Sequence, residues 1–116
     1  MKLDKFTTAY LECALWSSTD DDGEPLDDQF EIDDISPECL AQAIEDCKAF
    51  QEEHVDLLAS LDDEQCGHDF WLTRNRHGAG FWDRGYDFAV SKPLTESSHV
   101  YGSVDLYIGD DGMIYS

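Results

Sequence analysis

Carboxylates crowd the first half of this chain so densely that any fold must keep nearly all of them in water. Residues 1–66 carry 20 Asp and Glu against 3 Lys, a net charge of −17, whereas residues 67–116 carry 7 acids and 4 bases, a net of −3. Low hydropathy combined with high net charge is the usual signature of disorder. The aromatic residues oppose that reading, because six Phe, five Tyr and three Trp at alternating or helical spacing are the material of a packed core. With 116 residues, 41% of them hydrophobic, the chain has room for one core. The expectation is a single domain over 1–116, with an acidic helical part over about 1–66 and a β-hairpin-rich part over about 67–116.

The same charge opposes contact with nucleic acid or anionic lipid, both of which demand basic patches. The opening residues Met1-Lys2-Leu3-Asp4-Lys5-Phe6 have charges where a signal peptide needs an apolar run. No apolar stretch approaches the ~20 residues that span a bilayer. A soluble intracellular protein is expected. Of the four cysteines, Cys39 and Cys47 fall eight residues apart in what reads as one helix. That separation is roughly 12 Å, and a disulfide needs Cα atoms within about 7 Å. Free thiols in a reducing compartment are the expectation for Cys13, Cys39, Cys47 and Cys66.

Phe6, Tyr10, Cys13 and Ala14, with Leu11 and Leu15 beside them, form a helical period over residues 4–17, and Asp4 offers an N-cap. The run from Thr19 to Ile35 contains nine acids, one Gly and one Pro and reads as a loop, with Phe30 and Ile32 as its points of attachment to the core. Ser36-Pro37-Glu38 then supplies an N-cap, a first-turn proline and an early acid. Leu40, Ile44, Cys47, Phe50, His54, Leu57, Leu58 and Leu61 extend the apolar stripe, which predicts one helix from about Pro37 to Leu61. Beyond Glu64 the aromatic segments HDFWLTRN and GAGFWDRG predict a β-hairpin in which Trp71, Phe81 and Trp82 pack. A short helix is predicted over Pro93–Tyr101, and VDLYI, GDDG and MIYS predict a second hairpin. The fold class expected is α+β: two N-terminal helices packed on a small, mostly antiparallel sheet of two hairpins, with a short helix between them.

Residues 68–75 (HDFWLTRN), 77–85 (HGAGFWDRG) and 105–112 (DLYIGDDG) resemble a group of small uncharacterised proteins encoded by tailed bacteriophages. The match spans about the last 50 residues and departs at Arg76, where the pattern has Gly, and across Tyr86–Ser98. The resemblance implies a phage or prophage origin and the cytoplasm of a bacterial host, and brings no activity with it. Small acidic phage proteins as a loose class include inhibitors that imitate DNA.

Three chemistries bear on these residues. Asp20, Asp22 and Gly23 fall on the third, fifth and sixth positions of an EF-hand loop, but Ser18 and Gln29 occupy the first and twelfth, where calcium needs carboxylates. Cys66, His68 and His77 lack any C-x-x-C or H-x-x-x-H pair for zinc. The cluster His68, Asp69, Arg74, Asn75, His77, Asp83 and Arg84 places acid, base and cation types together, which is the material of a small hydrolase or metal-dependent enzyme. No nucleophile elbow, phosphate loop or dinucleotide fingerprint accompanies it. No catalysis, no metal and no cofactor is therefore expected, and the alternative to catalysis is that Arg74 and Arg84 pair with nearby carboxylates.

The charge itself is the remaining signal. A chain of this length has a radius of gyration of about 13 Å, so twenty net charges over a diameter near ~35 Å amount to roughly one per 1.75 Å; duplex DNA carries one per ~1.7 Å. Solubility needs a net charge of only ~2 to 8. The sequence thus points to a DNA-mimic inhibitor whose carboxylates stand in for phosphates: Asp20, Asp21, Asp22, Glu24, Asp27, Asp28, Glu31, Asp33 and Asp34 of the loop, and Glu38, Glu45, Asp46, Glu52, Glu53 and Asp56 of the long helix. The partner expected is a basic host protein that acts on DNA, such as a CRISPR effector, a restriction enzyme, a DNA glycosylase or a nucleoid protein. The competing expectation is a phage adaptor or assembly protein that binds through its aromatic hairpin.

Overall fold

The computed structural model describes residues 3–20, 22–77 and 79–116. Helix α1 (Lys5–Ser17) begins where the Asp4 carboxylate accepts a hydrogen bond of 2.7 Å from the Thr7 N–H. Its predicted stripe is buried, with Phe6, Tyr10, Cys13 and Ala14 all at 2% exposure or less. Leu11 and Leu15 are buried too, so α1 is enclosed on more than one side.

The acidic run folds into short turns rather than a free loop. Thr19 and Pro25 form an isolated antiparallel bridge around a turn in which Gly23 takes φ 84°. Single 3-10 turns follow at Leu26–Asp28 and Ile32–Asp34. Leu26 and Ile35 are inserted in the core, while Phe30 and Ile32 pack against it half-buried.

Helix α2 (Pro37–Glu53) starts as its sequence dictates, with Ser36 Oγ accepting from the Cys39 N–H and Pro37 in the first turn. It does not run to Leu61. His54 leaves helical geometry at φ −118°, ψ 27°, and only one further turn forms, α3 (Val55–Leu58). The His54 ring packs 4.8 Å from that of Phe50, and Leu58 tucks into the core. The break lets the chain turn back with both side chains covered.

The predicted first hairpin is a helix. Helix α4 (Asp63–Arg74) is capped by Asp62, whose Oδ2 accepts from the Gln65 N–H, and it contains most of HDFWLTRN. Cys66, Gly67, Asp69, Phe70, Trp71, Leu72, Thr73 and Arg74 are all buried, so beyond its exposed first turn the helix is covered on nearly every side, with His68 half-buried. A helix buried all round has no polar face, so its 3.6-residue period is invisible in the sequence and β-propensity dominates the reading. Gly67 permits this central position: a Cβ there would collide with the Phe6 carbonyl of α1.

GAGFWDRG is likewise no strand. Phe81–Asp83 form a 3-10 turn, with the Phe81 N–H donating to Thr73 Oγ1 at 3.2 Å. Phe81 is buried but Trp82 is 53% exposed, which corrects the expectation that it packs. Gly78, at the centre of the predicted turn, lies outside the described residues. Helix α5 (Phe88–Tyr101) extends further towards the N-terminus than Pro93 led one to expect.

The second hairpin is present in miniature: β1 (Tyr107–Ile108) pairs antiparallel with β2 (Ile114–Tyr115) in the register Tyr107 to Tyr115, across a turn with Gly112 at φ 82°. Ile114 also bridges in parallel to Ile35, and the Ser36 N–H donates to its carbonyl at 2.8 Å.

The α+β expectation is therefore overturned. The described residues form five helices, 62% helical overall, with a single two-stranded sheet at the end. Their centre is aromatic: Phe50 stacks on Phe70 at 4.2 Å, and Phe6, Tyr10, Phe81 and Tyr101 surround that pair. None of these helices is long and apolar enough to cross a membrane.

Candidate partner-binding surface

The acids chosen from sequence divide by their surroundings. Asp22, Glu24, Asp27, Asp28, Glu31 and Asp33 of the acidic turns are exposed, as are Glu38, Glu45, Glu52 and Glu53 of α2 and Asp56 of α3. Asp21 lies outside the described residues. Asp20 and Asp34 are half-buried and serve the backbone. Asp20 Oδ1 accepts from the Asp22 and Glu24 N–H groups at 2.9 and 3.0 Å, and Asp34 Oδ2 accepts from the Glu31 N–H at 2.8 Å. These bonds shape the turns that display the other carboxylates.

Asp46 faces inward. Its carboxylate meets Arg74 Nη1 at 2.9 Å, with the Arg74 side chain only 4% exposed. The same guanidinium donates to the Tyr10 hydroxyl and to the carbonyls of Tyr101 and Gly102. Arg84 is the second structural arginine: it forks onto Asp69, a fully buried carboxylate, with bonds of 2.7 to 3.1 Å. The hydrogen bond to Asp69 holds the Arg84 guanidinium above its ordinary pKa. Lys48 and Lys92 sit beside Glu52 and Glu96 at helical i,i+4 spacing.

The enzyme-like cluster divides: His68, Asp69 and Arg84 lie together, while Asn75 and His77 share a different place. Arg74 and Arg84 are held by Asp46 and Asp69, and Asn75 spends its amide on the Trp71 carbonyl and the Val104 N–H. His68 lines a depression of about 610 Å³ with Lys5, Glu12, Asp62, Glu64 and Arg84. His77 lines a different one, of about 400 Å³, with Ser17, Asn75 and Asp105. Burial lowers the pKa of His68, against the opposing pull of Asp69. Among the described residues, no three His, Cys, Asp or Glu side chains converge as a metal site requires.

A third depression, of about 360 Å³, opens between α1 and the two acidic 3-10 turns. Leu15, Phe30 and Ile32 line it together with Glu12, Asp27, Glu31 and Asp33. Sequence reading singled out the loop acids and the two apolar attachments but missed Glu12, a lone acid on α1 with no local signal to connect it to residues 27–33.

The chain matches no family model, no curated protein and no solved structure.

Proposed function

We propose that this protein is a phage-encoded DNA mimic, which acts in the host bacterial cytoplasm by occupying the DNA site of a basic host protein. The observation that carries this reading is the match between length and charge. The molecule is 44 Å along its longest axis, and a duplex of that length carries roughly 26 phosphates at one per ~1.7 Å. The chain carries a net charge of −20, one per roughly 2.2 Å of that axis, which approaches the duplex density. Two of its few cations, Arg74 and Arg84, are engaged with Asp46 and Asp69 and leave the outer carboxylates unopposed by them. The reading assigns the chain no catalytic step, no cofactor and no direct binding to nucleic acid. Competition supplies the inhibition, and the field of the carboxylates speeds encounter with the basic site.

The test is competition between this protein and labelled duplex DNA for a basic partner captured at low salt. Mimicry requires mutually exclusive binding that weakens from about 50 mM to about 200 mM salt. It also requires weaker binding by a variant carrying Asp27→Asn, Asp28→Asn, Asp33→Asn and Glu45→Gln. Simultaneous binding of DNA and this protein, indifferent to salt, would refute it.

A second reading, an adaptor that binds through aromatic side chains, is favoured by the exposure of Trp82 and Phe88, at 53% and 74%. It requires Trp82→Ala to weaken partner binding while leaving the melting temperature unchanged.

A further inference from the structure

We propose that the groove floored by Leu15, Phe30 and Ile32 and rimmed by Glu12, Asp27, Glu31 and Asp33 receives an arginine side chain of the protein partner. This rests on the reading of the acidic surface as the contact face and names the contact that would make it selective.

Charge selects this groove over its neighbours. The depression beside His68 carries cations of its own, with Lys5 and Arg84 among Glu12, Asp62 and Glu64. The groove between α1 and the acidic turns is lined by four carboxylates and by no Lys, Arg or His. All four are exposed; Glu31 also caps the Ile32–Asp34 turn by accepting from the Asp34 N–H, which fixes its carboxylate at the edge of the groove.

The floor decides which cation. Leu15 is buried, and Phe30 and Ile32 are half-buried, so water is excluded from one side of any group that enters. A long side chain lays its aliphatic stem along such a floor and keeps its charged head among the carboxylates. An arginine gains more than a lysine, because the guanidinium is weakly hydrated, stacks on an aromatic face and pairs with carboxylates through two parallel bonds. A lysine ammonium keeps its water and gains only the point-charge attraction.

The probes are an oligo-arginine peptide and an oligo-lysine peptide of equal length, titrated into the isotopically labelled protein at about 50 mM and about 200 mM salt while amide shifts are followed. The arginine peptide should bind more tightly by about threefold to fivefold, with shifts centred on Leu15, Phe30 and Ile32. Phe30→Ala should abolish the preference for arginine. Asp27→Asn with Asp33→Asn, both at exposed positions, should weaken both peptides, which keeps the test sound if Phe30→Ala disturbs the turn. Equal affinities, or shifts spread along α2 instead of the groove, would overturn the arginine site while leaving the polyanion reading intact. Arginine binding in the groove, combined with a captured partner that binds this protein and DNA together, would refute mimicry and leave the groove standing.

Discussion

Arg74 Nη1 lies 2.9 Å from Asp46 Oδ2, which ties α4 to α2 through a cation that is almost wholly buried. The guanidinium sits 5.6 Å from the ring centres of both Phe70 and Tyr101, and its other nitrogens satisfy two carbonyls beyond the end of α5 or at its last residue. With its bond to the Tyr10 hydroxyl, one side chain thereby ties four helices, α1, α2, α4 and α5, around the aromatic core.

Removing one member of such a pair strands the other charge. Arg74→Met is expected to cost about 3–5 kcal/mol in urea unfolding, because Asp46 and two carbonyls lose their donor together. Asp46→Asn keeps an acceptor for the guanidinium and is expected to cost only about 1–2 kcal/mol. Equal losses for the two variants would show that the carboxylate charge, and not the donor network, holds the joint.

Arg76 is the one described non-glycine residue with positive φ, at 57°. It ends α4 in a glycine's usual position: its own N–H donates to the Thr73 carbonyl at 3.0 Å, and that of His77 to the Leu72 carbonyl at 2.9 Å. The left-handed conformation costs an L-residue ~1–2 kcal/mol, and a glycine returns part of that through its freer unfolded chain. Arg76→Gly is therefore expected to raise the melting temperature by roughly 2–4 °C. A fall would mean that the exposed Arg76 side chain contributes more than its backbone costs.

The thiols make the fold sensitive to alkali. Burial, reinforced by the charge of Asp69, pushes the pKa of Cys13 and of Cys66 up to about 12, and burial also raises those of Cys47 and Tyr10. In the unfolded chain a thiol loses its proton near 9, so above that pH the unfolded state binds fewer protons than the native one and stability falls. Denaturation midpoints should hold below pH 9 and decline steadily towards pH 12. A thiol reagent should modify Cys39 alone in the native protein, and all four cysteines in denaturant. Rapid native labelling of Cys47 would contradict the packing of α2.

What was legible in the sequence was local. Asp4 as the cap of α1, Ser36-Pro37 at the start of α2 and the terminal turn before Ile114 are all found where side-chain chemistry places them. The loop carboxylates from Asp22 to Asp33 are exposed because no local partner competes with water for them.

The rest depended on what packs against what. α4 showed no helical period because from Cys66 to Arg74 nearly every face meets another element, and its aromatic run reads as strand. The inward turn of Asp46 towards Arg74 and the meeting of Glu12 with residues 27–33 each join positions far apart in the chain. Caps and charge act over one or two turns and can be read from neighbouring residues, whereas burial depends on neighbours that only the folded chain supplies. The sequence by itself thus determined where helices begin and how much charge must face water, and the tertiary structure decided which carboxylates are left to meet a partner.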